Sequence, residues 1–135
     1  MNHTTPPDVP GADAVVSWFG YWPSFHDAEV VHVHLNRHGI SRLSLHAWHM
    51  TNRTHEVEGK QYFVNEKHAI VTFELTAITD LELSDFSVQN VLAGLELVRN
   101  GDSFRLRLDP SYGIGGRIDA GQVTISITPG EPSGE

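Results

Sequence analysis

The stretch that decides the fold is Leu95–Leu108, LELVRNGDSFRLRL, in which two alternating runs flank an Asn-Gly dipeptide. Alternation of apolar and polar residues indicates a strand with one buried face, and Asn-Gly is the strongest short signal for a two-residue hairpin turn. A turn centred on Asn100–Gly101 fixes the pairing of the two strands. The expected pairs are Leu97 with Phe104, Leu95 with Leu106, Ala93 with Leu108 and, on the outer face, Glu96 with Arg105.

The same alternation recurs elsewhere in the chain. The expected inward residues are Val31, Val33 and Leu35, then Leu43, Leu45 and Ala47, and then Val71, Phe73, Leu75 and Ala77. A three-residue loop at 38–40 predicts His32 opposite His46 and Val30 opposite Trp48 on the outer face. Ala120–Gly121 predicts a last hairpin, with Ile118 opposite Val123. The polar residues 51–68 predict a long hairpin tip or excursion, with a strand resuming at Ile70, whereas 85–95 fits a helix as well as a strand.

One helix is predicted near the start, because Val15, Trp18 and Phe19 have helical spacing, Asp13 can cap it and Gly20 can end it. The predicted fold is therefore mainly β (α+β), a single antiparallel β-sheet domain, sandwich-like or strongly curved, with one short N-terminal helix. Residues 11–128 form this domain. Residues 1–10 are expected to be disordered and residues 129–135 to form a flexible tail, since both are rich in Pro, Gly and polar residues.

Composition limits the function classes. The chain has 135 residues, no cysteine and a formal net charge of −8. With no signal peptide and no apolar run long enough to span a bilayer, it is expected to be a soluble cytoplasmic protein without a membrane partner. Nucleic acid is an unfavourable partner because only Lys60 and Lys67 are lysines. The acidity suits a basic protein partner, although acidity also keeps many proteins soluble.

Histidines and carboxylates in the run Gly20–Val30, GYWPSFHDAEV, raise the alternatives of a catalytic cluster, a metal site or a structural corner. His32, His34 and His46 could converge as metal ligands, but no recurrent zinc signature is present. Catalysis would need a nucleophile beside a base, and no such arrangement or phosphate-binding loop is evident. The sequence therefore predicts no catalytic residue, no metal site, no cofactor and no enzyme. A small-ligand or metal-binding β-domain stays the alternative function.

Three stretches resemble the immunity protein 50 family of bacterial polymorphic toxin systems. They are WFGYWPSFHDAEV from Trp18, QNVLAGLELV from Gln89 and YGIGGRIDAGQVTISITP from Tyr112, so the resemblance spans Trp18 to Pro129. It implies a protein that binds and neutralises a cognate toxin, and it implies no residue roles. Oligomeric state stays open.

Seven residues are the candidate partner contacts: His26, Asp27, Glu29, Trp48, Glu56, Glu58 and Tyr62. The carboxylates could meet a basic toxin surface, and Trp48 and Tyr62 could form an apolar patch. The structural interpretation of the motif is the competing one. In it, Trp22 and Phe25 pack the helix against the sheet, Pro23 sets a corner, and Ser24 or Asp27 bonds backbone donors of the turn.

Overall fold

A computed structural model describes residues 5–132, apart from the side chains of residues 52, 63 and 64. The outermost parts of the expected disordered N-terminus (1–10) and flexible tail (129–135), residues 1–4 and 133–135, lie outside the described residues. The described elements are α1 (Ala12–Phe19), β1 (Glu29–His34), β2 (Ser41–Val57), β3 (Lys60–Ser84), β4 (Val91–Asn100), β5 (Ser103–Tyr112) and β6 (Gly115–Pro129).

All described strand pairs are antiparallel, and the sheet curves until it closes into a barrel in the order β1-β2-β3-β6-β5-β4. The predicted class, mainly antiparallel β with one short N-terminal helix, is confirmed. Of the two predicted forms, the strongly curved sheet is the one observed. Inward residues of β2 and β3 were predicted well, since Leu43, Leu45, Ala47, Val71, Phe73 and Leu75 are all buried.

The helix is capped by Gly11 and not by Asp13. Gly11 is the N-cap with φ of 92°, and its Cα lies so close to the carbonyl of Ile125 that a Cβ would overlap that group. Pro10 also accepts a hydrogen bond from the N–H of Ile125 at 2.8 Å. These contacts seat the helix start on β6. The predicted end at Gly20 is confirmed by its left-handed C-cap conformation. No helix within residues 5–132 combines the length and the apolar character needed to cross a membrane.

The predicted pairing of β1 is wrong. His32 lies opposite Ser44, His46 lies opposite Glu29, and a bulge leaves Val31 as an extra residue in β1. An extra residue moves the following side chains to the other face. The inward set is consequently Val30, which is buried, and Val33, which is half-buried, whereas the expected inward residues Val31 and Leu35 are exposed.

The hairpin of β4 and β5 exists, but its turn is centred one residue later than predicted. Asn100 pairs with Ser103, so Leu97 faces Leu106 and Leu95 faces Leu108. Gly101 has φ of 66° and Asp102 has no positive φ, as in a type II′ turn with glycine first. The buried face is nevertheless the one expected. Arg105 bonds Asp119 on β6 at 2.8 Å instead of facing Glu96.

Two further predictions about strands need correction. Ala120–Gly121 is not a turn, because β6 runs unbroken and pairs with β3 along its length. Ala77 is exposed, since its φ of 55° kinks β3 there. For residues 85–95, where the sequence fits a helix as well as a strand, residues 91–95 belong to β4 and residues 85–90 are irregular. The predicted long hairpin at 51–68 is confirmed, although β3 already starts at Lys60 and not at Ile70.

Candidate functional site

The segment that carries the histidine motif forms the seam of the closed sheet. The N–H of Asp27 donates to the carbonyl of Leu92 at 2.8 Å, and the N–H of Leu92 donates to the carbonyl of Ala28 at 2.9 Å. Val30 adds a bond to the carbonyl of Asn90 at 2.8 Å. Phe25 and Asp27 have positive φ, 63° and 69°, so the chain makes a tight turn just before β1. The motif is therefore a corner that joins β1 to β4.

Aromatic packing fixes this corner against the core. Trp22 and Phe25 are both buried, with an edge-to-face contact of 5.5 Å between ring centroids. Phe25 makes a second such contact with Phe73 at 6.1 Å. Pro23 is buried beside them, and the Ser24 hydroxyl accepts a bond from the N–H of His26 at 3.3 Å. These contacts place the ring of Phe25 against the sheet at Phe73, and Ser24 bonds a backbone donor of the turn as expected.

A groove runs between this corner and β2, with a volume of about 1010 Å³. One wall is the segment from Phe19 to Ala28, and the other is formed by β2 from Ala47 to Thr51 with Arg53 and Glu66. Met50 is half-exposed at 49% of its surface, which gives this wall an apolar patch. A concave surface with a few polar groups is the usual form of a binding site.

Three polar pairs lie in the groove. The hydroxyl of Tyr21 and Nδ1 of His49 are 2.6 Å apart, and the guanidinium of Arg53 binds Glu66 at 2.9 Å. Burial raises the pKa of Tyr21, so its hydroxyl is protonated near neutral pH. The third pair joins His26 and Asp27 at 3.3 Å on the rim. These two residues lie in a turn, so their side chains meet instead of facing opposite ways as in a strand.

The groove does not bring the Ser24 hydroxyl to the His26 ring. The Ser24 hydroxyl contacts the backbone of His26, while the His26 ring contacts Asp27. Nucleophilic catalysis by serine needs the hydroxyl on the ring nitrogen opposite the acid. The chemistry that this arrangement offers is hydrogen bonding, charge pairing and apolar contact with a bound surface.

A second cluster lies on the outer face of β2 and β3. Nε2 of His46 is 3.0 Å from Nδ1 of His68, and the ring of Trp48 is 4.9 Å from that of His46. Burial and the neighbouring His68 lower the pKa of His46, and the charges of Glu131 and Glu29 oppose this shift. His32 and His34 stack on each other instead, with centroids 6.4 Å apart. Within the described part of the chain, no three His, Asp or Glu side chains are placed to hold a metal ion.

The seven predicted contact residues fall in three places. His26, Asp27 and Trp48 line the groove, and Glu29 lies at the seam opposite His46 and Val91. The other three, Glu56, Glu58 and Tyr62, are exposed at the tip of the β2–β3 hairpin.

Sequence reasoning missed five groove residues: Tyr21, His49, Met50, Arg53 and Glu66. The turn at Glu58–Gly59 predicts only the outer pairs of this hairpin, from Val57 with Lys60 to Thr54 with Phe63. Counting further back would place His49 opposite His68, and a register shift between Met50 and Thr54 brings it opposite Glu66 instead. The sequence pattern does not mark this shift.

Comparison with known proteins identifies a family. The model of the immunity protein 50 family matches residues 11–129, which include the helix, all six strands and the groove. No curated protein and no solved structure matches the chain significantly. The family match spans the whole described barrel, and it agrees with the resemblance read from the motif at Trp18–Val30. The chain belongs to the immunity protein 50 family.

Proposed function

We propose that this protein protects a bacterial cell by binding a cognate toxin as a stoichiometric inhibitor, without turnover. The observation that carries the proposal is the family match over residues 11–129. From the net charge of −8 we also infer that the partner surface is basic, because opposite charges speed the encounter of two proteins and fix its orientation.

The contact surface that we propose is the groove together with the adjoining tip of the β2–β3 hairpin. The groove has a rim carboxylate, Asp27, whose side chain is 46% exposed. The tip adds the exposed carboxylates Glu56 and Glu58 and the half-exposed ring of Tyr62. Charged rims around apolar surface are typical of protein interfaces. Trp48 supplies apolar surface in the groove wall.

The first experiment tests neutralisation. Cells expressing the toxin domain encoded beside this protein's gene should grow only when the protein is co-expressed. Calorimetry with an inactivated toxin domain should give one-to-one binding. Protection at strongly substoichiometric amounts would indicate turnover and would contradict an inhibitor.

The second experiment maps the surface with two matched double variants. They are Asp27→Asn with Glu29→Gln, and Glu56→Gln with Glu58→Gln. Each exposed charge contributes about 0.2–1 kcal/mol, so either double variant should weaken binding by about twofold to thirtyfold. Circular dichroism verifies the fold. Full affinity of both double variants would exclude the charged surface and direct attention to the apolar one at Trp48 and Tyr62.

A further inference from the structure

Strand β2 is much longer than its neighbour β1. The pairing of the two stops at Glu29 with His46, because the chain before Glu29 turns away to join β4. Strand β2 continues to Val57, with β3 on its other side. Along 47–57, no described strand lies on the groove side of β2. Such an edge exposes backbone N–H and C=O groups that can pair with another chain.

The opposite edge of the hairpin is covered at its base. The carbonyl of Lys67 accepts a bond from the indole of Trp18 at 2.9 Å, and that of His68 accepts one from Gly130 at 2.8 Å. Lys60 and Lys67 also lie on this strand, and lysines discourage strand addition. Strand β2 has neither lysine nor proline from Trp48 to Val57. The free edge of β2 is irregular between Met50 and Thr54, where its register with β3 shifts, but at Thr54–Glu56 it carries no lysine, proline or register shift.

The turn determines which groups face outward. Glu58 and Gly59 have φ of 52° and 80°, the two positive values of a type I′ turn, so Val57 and Lys60 bond each other. Bonded and non-bonded pairs alternate along an antiparallel ladder. His55 therefore bonds Tyr62, whereas Thr54 and Glu56 direct their N–H and C=O groups away from β3 and out of the hairpin.

We propose that an extended segment of the toxin pairs with β2 as an added strand at Thr54–Glu56 and continues into the groove past Met50. This inference rests on the proposed function. A two-stranded ribbon is only marginally stable in water, and a third strand would stabilise it. Side chains along the added strand would meet Met50 and Val57, which are 49% and 47% exposed.

Charge selects the occupant. Two copies of this chain would each carry −8 and would repel each other, which disfavours pairing of β2 with a second copy. Glu56 and Glu58 place two exposed carboxylates beside the edge. The segment that fits is therefore extended, carries lysine or arginine, and belongs to a partner of opposite charge.

The test compares Thr54→Pro with Thr54→Ala. Proline removes the outward N–H without breaking a bond to β3, whereas alanine keeps that N–H and removes the same side chain. Binding of the inactivated toxin domain should weaken at least tenfold for Thr54→Pro and less than twofold for Thr54→Ala. Equal affinities of the two variants would overturn the edge pairing, whether both are strong or both are weak.

Two further measurements keep the outcomes separate. In the wild-type protein, toxin binding should slow hydrogen exchange at the amides of Thr54 and Glu56, while His55 is already protected. Unchanged exchange there would overturn the inference even if Thr54→Pro misfolds. A concentration-dependent dimer that Thr54→Pro abolishes would make a second copy the occupant and contradict us. Failure of the wild-type protein to bind toxin would instead reject the proposed function itself.

Discussion

Ala28 and Leu92 are joined across the seam of the barrel, where the N–H of Leu92 donates to the carbonyl of Ala28 at 2.9 Å. The register of β1 with β4 contains a single pair, Glu29 with Val91, so the sheet is closed mainly by bonds from the turn before β1. That turn also forms one wall of the groove. Closure of the fold and shape of the candidate site thus depend on the same residues.

Phe25→Ala should destabilise the protein strongly. The ring is buried, contacts Trp22 and Phe73, and holds the seam in place. Truncating a buried phenylalanine lowers the free energy of unfolding by about 3–5 kcal/mol. Alanine has the same backbone strain as phenylalanine at this positive φ, so the backbone adds nothing to the loss. Urea denaturation measures the loss. The exposed neighbour His26→Ala should change stability by less than about 0.5 kcal/mol, and equal losses in the two variants would contradict this account of the seam.

The two glycines that flank the helix should respond differently to alanine. Both have left-handed φ, 92° at Gly11 and 88° at Gly20, so both variants share the same backbone strain of about 1–2 kcal/mol. Only at Gly11 would the new Cβ overlap another group, the carbonyl of Ile125. Gly11→Ala should therefore be clearly less stable than Gly20→Ala in thermal unfolding. Equal midpoints would mean that the helix start does not sit tightly on β6.

The sequence predicts the features of this fold that depend on neighbouring residues better than those that depend on pairing between distant segments. Alternation placed Phe73 and Leu45 inside, because the period of a strand is a local property. The predicted strand pairing is wrong where a bulge adds a residue, as at Val31 and Ala93, since nothing in the local pattern marks the extra residue. The predicted position of the turn at Gly101 is wrong by one residue, because glycine suits either central position of a hairpin turn.

In the candidate site, too, local features could be predicted from the sequence and contacts between distant segments could not. His26 and Asp27 could be singled out from the motif, and both lie in the groove. Tyr21 and His49 could not be paired from the sequence, because their 2.6 Å contact depends on how the corner lies against β2. Contacts between distant segments require the barrel closure, and closure has no local signal.

Stability should decline as the pH falls below about 6.5, in part because of His46. Burial and His68 lower its pKa in the folded state, so the unfolded chain takes up the proton first as the pH falls. The contribution is complete above about pH 7 and is lost as the pH falls through the unfolded value of about 6.5 toward the folded one.

The measurement is the urea midpoint between pH 8 and pH 5. His46→Gln should flatten this dependence, while His38→Gln, at an exposed loop position, is the matched control. If both variants keep the full wild-type slope, another group causes the acid sensitivity.

Association with the toxin should be steered by charge, since the protein carries −8. Asp27 on the groove rim is half-exposed, and Glu56 and Glu58 at the hairpin tip are exposed. Raising the salt from about 0.05 to 0.5 M should lower the on-rate by about tenfold or more, because screening shortens the reach of charge to below about 10 Å. The off-rate should change less, because it reflects packed contacts already formed.

Stopped-flow mixing with the inactivated toxin domain measures both rates. Replacing Glu56 and Glu58 with glutamine should reduce the salt dependence, whereas Thr54→Pro should act mainly on the off-rate by weakening the added strand. An on-rate indifferent to salt would refute steering and leave apolar contact in the groove as the main source of affinity.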